Sequence, residues 1–373
     1  MKKSIFFLLV LAILGLIIFS LLSFTKILSR SNLPLEKVNI IDEIEIPAED
    51  IPRVSVIADN LMVPWAIAFL PDRKILVTER NGGVKLIDGD NVKKIADIDV
   101  VSTSESGLHG VAIDPDFSDN NFIYLYYTTR PNGENTLNRV SRFFLDDELT
   151  LRDEKIIIDN IPGAPRHDGG RIKFGPDGYL YIATGDATEP SLSQDRNSLA
   201  GKILRVDKGG GTPADNPFGN PIFSYGHRNP QGLAWDNNGN LFSTEHGNSA
   251  TDEFNAVEMG DNYGWPLISG NMSREQMHSP LVQSGNDTWA PAGLAFIDDK
   301  FYFGGLRGNA LYRVEKVNDE YLVSEYFKGE FGRIREVIVG PDDMLYITTS
   351  NTDGRGIPSG DDDKIIRINP AKL

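Results

Sequence analysis

The chain has 373 residues, of which 40% are hydrophobic and 24% charged, a composition typical of a folded globular protein rather than a disordered one. Its 53 acidic residues outnumber 37 basic ones and give a formal net charge of −16, which argues against a nucleic-acid partner because phosphate binding needs clustered cations. There is no cysteine, so disulfides, thiolate zinc sites, iron–sulfur clusters and a cysteine nucleophile are excluded.

The first segment predicts a membrane anchor. An uncharged, apolar stretch, Ser4–Thr25, lies between basic residues. At a helical rise of roughly 1.5 Å per residue it is long enough to span the roughly 30 Å core of a bilayer. We therefore expect a transmembrane anchor helix within residues 1–30, with a cleaved signal segment as the alternative. Residues 31–52 are acidic and contain prolines, which predicts a tether to a domain covering residues 53–373.

One phrase recurs six times in that domain: a turn rich in Asp, Pro, Gly or Asn, then a short apolar strand ending in small or hydroxyl residues. The turns are Pro71–Asp72, Pro115–Asp116, Pro176–Gly178, Asp236–Gly239, Asp298–Asp299 and Pro341–Asp343. The copies lie roughly 43 to 62 residues apart, which suits one four-stranded blade each. The repeat predicts an all-β, six-bladed β-propeller with four-stranded antiparallel blades. A β-sandwich with similar hairpins is the alternative.

A propeller needs its ring closed, because closure protects the edge strands. We expect a strand near Arg53–Ala58 to pair with the last blade, which ends around Lys364–Asn369. Functional residues should then lie on the loops at the mouth of the central channel.

Five histidines are available for acid–base chemistry, and His167 has the most favourable surroundings. It lies just before a predicted strand, and Gly169 and Gly170 let the backbone approach a partner closely. Asp186 ends the next predicted strand, so a short hairpin would return it to the same rim, where it could orient the imidazole. These positions predict a catalytic base. A histidine on a surface loop is the alternative.

Arginines lie just ahead of several predicted strands, which places them at the same end of their blades. Arg228, followed by Asn229, precedes one such strand, and Arg307, Arg333 and Arg335 have equivalent positions. Cations that converge on a channel mouth in an acidic protein predict a site for a multiply anionic ligand. The alternative is that these arginines pair with acids between blades.

Residues 244–266 concentrate oxygen donors. They are Glu245, Asn248, Asp252, Glu253 and Asp261. Hard cations such as calcium bind several oxygens, often including main-chain carbonyls, so this segment is the best metal candidate. The sequence has no G-x-S-x-G elbow and no H-E-x-x-H motif, which disfavours serine hydrolases and zinc proteases.

Several phrases in order identify a family. GLHGVAIDPDF, HDGGRIKFGPDGYLYIATGD, GKILRVD, YGHRNPQGLAWD, EFNAVEMGDNYGWP and GRIREVIVGPDDMLYITT closely resemble the soluble pyrroloquinoline quinone (PQQ)-dependent sugar dehydrogenases. These form the glucose/sorbosone dehydrogenase family, which includes the aldose sugar dehydrogenases and has a six-bladed propeller fold. The resemblance covers roughly Val63 to Asn369.

The resemblance implies roles for the residues singled out above. His167 matches the general base that takes the proton of the sugar C1 hydroxyl while a hydride passes to the quinone, and Asp186 matches its supporting acid. Arg228 and Asn229 match contacts near the reactive quinone carbonyl, where Arg228 would stabilise developing charge. Further cofactor contacts are matched by Arg307, Arg333 and Arg335.

The resemblance also implies calcium. Gly247 and Asn248 match main-chain donors to a calcium ion that also binds PQQ, and Glu253 and Tyr263 match a further calcium site. Glu105 stands where some glucose-oxidising members have a Gln that touches substrate, so this position is a candidate substrate contact.

The activity implied is oxidation of an aldose to its lactone, with electrons passed to an external acceptor. The catalytic domain would then lie outside the cytoplasm, held by the anchor, or would be secreted or periplasmic after signal cleavage. Two other functions are compatible with a propeller: a calcium-dependent lactonase and a non-catalytic ligand-binding domain.

Overall fold

The computed structural model describes residues 50–373, except residues 132 and 134. In this part of the chain, 24 strands form six four-stranded antiparallel sheets, which confirms the predicted six-bladed β-propeller. The anchor predicted within residues 1–30 lies outside the described residues, as does the tether predicted at residues 31–52, apart from its last residues. None of the helices described is long and apolar enough to cross a membrane.

Each of the first five blades consists of four consecutive strands, the first of which lines the central channel. Before them, the chain forms β1 (Val54–Ala58), which belongs to the last blade. Blade 1 contains β2 (Pro64–Phe69), β3 (Ile75–Glu79), β4 (Gly83–Asp88) and β5 (Asn91–Asp97). Blade 2 contains β6 (Leu108–Ile113), β7 (Phe122–Thr129), β8 (Leu137–Leu145) and β9 (Leu151–Pro162). Blade 3 contains β10 (Ile172–Phe174), β11 (Leu180–Thr184), β12 (Lys202–Val206) and β13 (Ile222–Tyr225).

The remaining blades follow the same plan. Blade 4 contains β14 (Pro230–Trp235), β15 (Leu241–Glu245), β16 (Glu253–Val257) and β17 (Val282–Gln283). Blade 5 contains β18 (Pro291–Ile297), β19 (Lys300–Gly305), β20 (Ala310–Val317) and β21 (Glu320–Tyr326). Blade 6 contains β22 (Ile334–Val339), β23 (Leu345–Thr349), β24 (Ile365–Ile368) and β1. Short helical segments occur at α1 (Phe117–Asn120) and, as 3₁₀ turns, at Pro190–Ser193 and Pro370–Lys372.

The ring is closed as the sequence predicts. β1 pairs antiparallel with β24, with Val54 opposite Ile368 and Ala58 opposite Ile365. Ile51, just before β1, is buried, and its carbonyl accepts a hydrogen bond of 3.2 Å from Asn369. The two ends of the described chain are therefore held together by backbone pairing and by a side-chain bond.

The recurring turn is held by its aspartate. The side-chain oxygen Oδ1 accepts a hydrogen bond from the backbone N–H two residues on at Asp72, Asp177, Asp236 and Asp342, with N···O distances of 3.3, 3.2, 2.9 and 3.3 Å. The copy at Asp114–Asn121 differs from the simple hairpin turn expected there, because it contains α1. Asp114 accepts from the Asp116 N–H at 2.9 Å, as in the other turns, and in addition pairs with Lys208 of blade 3 at 2.8 Å.

Apolar clusters fill the spaces between neighbouring blades. The second strand of each blade is the main contributor: β3, β11, β15 and β23 are buried along their whole length. The first strands approach one another around the channel so closely that a Cβ on Gly110 would lie 2.3 Å from the Gly170 carbonyl oxygen. Glycine is needed there for space.

An ion pair crosses the middle of the channel. Arg171 and Glu336 are 2% and 1% exposed, and Arg171 Nη1 donates to Glu336 Oε2. Arg171 Nε donates to the Gln231 carbonyl at 2.9 Å, and its guanidinium lies 4.5 Å from the centre of the Trp65 ring. We call these four residues, Trp65, Arg171, Gln231 and Glu336, the channel waist.

The waist gives a stability prediction. Glu336→Gln removes the countercharge of a fully buried arginine, so the free energy of unfolding should fall by about 3–5 kcal/mol. Urea unfolding followed by circular dichroism measures this loss. Asp319→Asn is the matched control, because it breaks an ion pair with Lys316 in which Asp319 is 94% exposed, and it should change stability by less than about 1 kcal/mol. Equal effects of the two substitutions would contradict the role given to the waist.

Candidate active site

A histidine and an aspartate form a hydrogen-bonded pair at the rim of blade 3. His167 Nδ1 lies 2.8 Å from Asp186 Oδ1, and the side chains are 18% and 1% exposed. Asp186 also accepts from Trp265 Nε1 and from the Thr188 N–H, both at 2.9 Å. The carboxylate is thus fixed by donors on both oxygens. With Asp186 accepting at Nδ1, the imidazole carries its proton there and leaves Nε2 with a lone pair.

Close backbone contacts fix the loop that carries His167. His167 has φ of +62°, a left-handed conformation that is uncommon for residues other than glycine. Directly after β11, a Cβ on Gly185 would lie 1.8 Å from the His167 carbonyl oxygen. The Gly169 N–H donates to Asn229 Oδ1 at 3.0 Å, and the His167 N–H donates to Glu105 Oε2 at 3.1 Å. Neighbouring blades therefore hold the histidine in this conformation.

Arg228 occupies the other side of the imidazole. Its Nη2 lies 3.1 Å from His167 Nε2, and its Nη1 donates to the His246 carbonyl at 3.2 Å. An arginine can only donate, so this contact favours the same tautomer as Asp186 does. Arg228 Nε, which is buried, has no hydrogen-bond partner among the described residues. Burial lowers the pKa of Arg228, against the opposing attraction of Asp186 and Glu245.

A second histidine–carboxylate pair supports Arg228. Glu245 Oε1 accepts from the Arg228 N–H, and Glu245 Oε2 lies 2.8 Å from His227 Nδ1. His227 Nε2 lies 2.8 Å from Ser224 Oγ, and the ring stacks on Tyr263 at 4.6 Å. Internal bonds therefore use both carboxylate oxygens of Glu245, and its role as a cation ligand stays a prediction. Its position at the end of β15 matches that of Asp186 at the end of β11, a signal that sequence reasoning could have used.

Two of the predicted arginines are brought together at the start of β22. Arg333 Nε and Nη2 donate to Asp353 Oδ2 at 3.0 and 2.7 Å, and Arg335 Nη1 donates to Gln231 Oε1 at 3.2 Å. Arg307 is exposed and lines, with Arg333, a cavity of about 510 Å³ between blades 5 and 6. The positive charge of the predicted arginines is therefore partly neutralised by the carboxylate of Asp353.

Sequence reasoning missed two further arginines. Arg355 Nη1 donates to Glu105 Oε1 at 2.7 Å, and Arg80 Nη2 donates to the Asp353 carbonyl at 3.4 Å. Burial raises the pKa of Glu105, but the Arg355 guanidinium and the His167 N–H more than offset this and lower it. Arg80 directly follows β3, so its position at a strand end was visible in the sequence. Arg355 lies in a loop with no such pattern.

These charges leave a surplus of positive charge. Among the described residues in mutual electrostatic contact are four arginines and two carboxylates: Arg80, Arg333, Arg335, Arg355, Glu105 and Asp353. Burial, together with the like charges of Arg333 and Arg80, lowers the pKa of Arg335 to about 9. A bound anion with several carboxylates would relieve this repulsion, so the cluster fits a ligand of the kind that PQQ is.

The oxygen donors in the segment predicted to bind a cation, residues 244–266, differ in how many internal hydrogen bonds they accept. Asp252 Oδ1 accepts from the Gly247 N–H at 2.8 Å, and its Oδ2 accepts from the N–H groups of Trp289 and Ala290 at 2.7 and 2.8 Å. Both carboxylate oxygens therefore have hydrogen-bond partners within the protein. Glu253, in contrast, makes only long contacts of 3.3 Å to Gly270 and Asn255, and burial and the charge of Glu245 raise its pKa to about 8.

The other predicted calcium ligands would act through their main chains. The Tyr263 hydroxyl donates to the Ala256 carbonyl at 2.7 Å and accepts from the Glu258 N–H at 2.9 Å, so it is already satisfied. Asn248 is exposed, and a Cβ on Gly247 would lie 2.0 Å from the Ala250 carbonyl oxygen. In the part of the chain that is described, no three His, Cys, Asp or Glu residues cluster closely enough to hold a metal. A calcium ion here would therefore rely on carbonyl oxygens and Glu253.

Comparison with known proteins identifies the chain with one family. The family model for glucose/sorbosone dehydrogenases matches residues 61–365. The aldose sugar dehydrogenase YliI of Escherichia coli K12 is 32% identical over 339 residues, which are 81% of this chain and 91% of that protein. The PQQ-bound aldose sugar dehydrogenase of Streptomyces coelicolor superposes with a TM-score of 0.80 at 37% identity, over 85% of this chain and 98% of that one.

The apo form of the soluble aldose sugar dehydrogenase of Escherichia coli gives a TM-score of 0.77 at 30% identity, over 84% of this chain and 98% of that one. The resemblance that the sequence phrases predict is therefore confirmed over the whole propeller. The chain belongs to the glucose/sorbosone dehydrogenase family.

Proposed function

We propose that this protein oxidises aldose sugars at C1 to the lactone, with PQQ as cofactor, calcium as metal ion and His167 as general base. One observation carries the proposal: Asp186 holds the imidazole with its proton on Nδ1, so that Nε2 is the basic nitrogen, which accepts from Arg228 in this structure and would accept from the sugar hydroxyl when substrate binds. As a family member with aldose sugar dehydrogenases among its relatives, the chain is an oxidoreductase. The PQQ in the Streptomyces coelicolor relative supports the choice of cofactor.

The proton and the hydride leave the sugar separately. His167 Nε2 accepts the proton of the C1 hydroxyl, and the buried Asp186 carboxylate stabilises the imidazolium that forms. The C–H bond at C1 then breaks with its electron pair, and the C1–O bond becomes the lactone carbonyl. When bound, PQQ supplies the two-electron acceptor for this hydride. Arg228, whose Nη2 lies 3.1 Å from Nε2, would stabilise the negative charge that the cofactor gains with the hydride.

The arginine cluster would hold the cofactor. Arg333 and Arg335 would bind carboxylates, with Arg307 at the edge of the adjoining cavity and Asn229 and Arg228 on the side of the base. The buried Arg228 Nε and His246 Nε2 have no hydrogen-bond partner in the described chain, so they are available to an incoming ligand. Burial lowers the pKa of His246 to about 4, which keeps its ring neutral near pH 7.

Calcium and substrate would lie on either side of the base. Gly247 and Asn248 would donate carbonyl oxygens to calcium, and Glu253 and the Tyr263 main chain would form a further calcium site. Glu105 would contact the sugar, since its carboxylate bridges the His167 N–H and the exposed Arg355.

The electrons pass on to an external acceptor. The proposed location is outside the cytoplasm, either through the anchor in residues 1–30 or after secretion to the periplasm or medium.

The first prediction concerns the base. His167→Asn keeps a residue that tolerates positive φ but removes the basic nitrogen, so turnover should fall by at least about 100-fold. PQQ binding, followed by absorbance titration, should persist because the arginine cluster is intact. His278→Ala is the control, since His278 is 52% exposed. Near-normal turnover in the His167 variant would rule out the assignment.

The second prediction concerns the cofactor. Replacing Arg333 and Arg335 together by Ala removes two charged donors, each contributing about 1.5–3 kcal/mol, so PQQ should bind at least about 100-fold more weakly. The unfolding temperature shows whether the variant is folded. Arg152→Ala, at a position 54% exposed on blade 2, should leave PQQ affinity unchanged. An unchanged PQQ titration in the double variant would count against this site.

The third prediction concerns calcium. Calcium at about 100 times its dissociation constant should stabilise the domain by about 2.7 kcal/mol, measured as a rise in unfolding temperature that a chelator reverses. Glu253→Gln should reduce this rise, because a neutral amide is a weaker ligand than a carboxylate. Asn248→Ala should retain it, because only the main-chain carbonyl is used. If Asn248→Ala abolishes the rise and Glu253→Gln does not, the proposed ligand set is wrong.

A further inference from the structure

The channel has a second cavity, at the end opposite the candidate active site. It has a volume of about 490 Å³, and all six channel-lining strands contribute to it. Its wall consists of partly exposed apolar side chains at the ends of these strands: Phe69, Ile113, Phe174, Trp235, Phe296 and Val339. We call this cavity the lower funnel. Its volume lies within the range of small-molecule sites, about 300–1,000 Å³.

The lower funnel is separate from the candidate active site. Arg333, Asn229 and the His167 loop precede the channel-lining strands or stand at their first residues, whereas the funnel residues stand where those strands end. The channel waist lies between the two sets. Trp65 contacts both sets, because the centre of its ring lies 4.5 Å from the guanidinium of Arg171 and 5.6 Å from that of Arg335.

Two polar side chains, Arg171 and Lys173, line the floor of the otherwise apolar lower funnel. Arg171 lines the funnel, and its Nη2, in a side chain 2% exposed, has no hydrogen-bond partner among the residues described. Lys173 also lines it, and its ammonium donates to the Leu294 carbonyl at 2.9 Å, which leaves further N–H groups able to donate. Burial lowers the pKa of Lys173 to about 8, so it is mainly charged near neutral pH.

The charges at the floor do not balance. Arg171 and Lys173 are cations, and Glu336 is the carboxylate that faces both. One negative charge on a ligand would complete the balance, while a second would be left unpaired in an apolar cavity. A neutral apolar ligand would leave the buried Arg171 donor without an acceptor. The aromatic side chains around the wall suit a planar ring system.

We propose that the lower funnel binds a small aromatic monoanion, with its ring among Phe174, Trp235 and Phe296 and its carboxylate at Lys173 and Arg171 Nη2. The site goes beyond the proposed sugar oxidation and does not depend on it, because none of its residues belongs to the candidate active site.

The test uses 2-naphthoate as the probe and 2-naphthylmethanol as its neutral counterpart, titrated by isothermal calorimetry into the purified protein. We expect saturable binding of naphthoate at one site, and binding of the alcohol at least about tenfold weaker, since a charge-assisted hydrogen bond is lost. Equal affinity for the two probes, or no saturable binding of naphthoate, would overturn the proposal.

Variants locate the site. Val339→Trp fills the funnel and should abolish naphthoate binding, whereas Leu322→Trp, at an apolar position 46% exposed on the outer strand β21, should not. Lys173→Met should weaken naphthoate by about tenfold and leave the alcohol unchanged, which tests the charge even if Val339→Trp fails to fold. Naphthoate bound with equal affinity by the wild type and Lys173→Met would exclude the proposed contact.

A carboxylate probe could also bind the arginines of the candidate active site. The double replacement of Arg333 and Arg335 by Ala separates the two sites. Naphthoate binding unchanged in this variant supports the lower funnel, and binding lost there would overturn it. Because the assay measures no sugar oxidation, failure of the proposed function would leave this result interpretable.

Discussion

Closure of the ring is the constraint on which the rest of the molecule depends. The backbone pairing of β1 with β24 makes the first described strand the outer edge of the last blade. Only in a closed ring do the channel-lining strands stand at fixed distances, and the candidate active site draws on several of them. His167 comes from blade 3, Arg228 precedes blade 4, and Arg333 begins blade 6. Their contacts are set by the radius of the ring and not by separation along the sequence.

The site concentrates positive charge within an acidic protein. The chain has a net charge of −16, yet four arginines meet two carboxylates above the channel waist in the described residues. Carbonyl groups of Leu306, His246 and Asp353 accept bonds from Arg333, Arg228 and Arg80, so these three guanidinium groups are oriented before any ligand arrives. Donors fixed in advance bind an anion with little reorganisation, which is the basis of electrostatic preorganisation.

Sequence reasoning succeeded where the signal is local. The turn aspartates recur because each one binds a backbone N–H two residues away, and His167 and Asp186 are joined by one hairpin. It failed where distance depends on how blades pack. Nothing near Arg355 shows that it meets Glu105, 250 positions earlier in the chain. Glu245 was predicted as an oxygen donor to a cation, but its bonds to Arg228 and His227 become visible only in three dimensions. The proposed anchor and calcium sites remain predictions.

The channel waist also determines by which openings ligands can enter and leave the propeller. The buried side chains of Trp65, Arg171 and Glu336 fill the centre of the channel. The channel is therefore closed there and opens separately at its two ends, as an upper cavity beside the candidate active site and as the lower funnel. A ligand must leave either cavity through the same opening by which it entered. Under the proposed function, the sugar, its oxidised product and the electron acceptor would all pass through the single opening of the upper cavity. They would therefore use it in succession, the product departing before the acceptor approaches, which is the order of events in a double-displacement cycle.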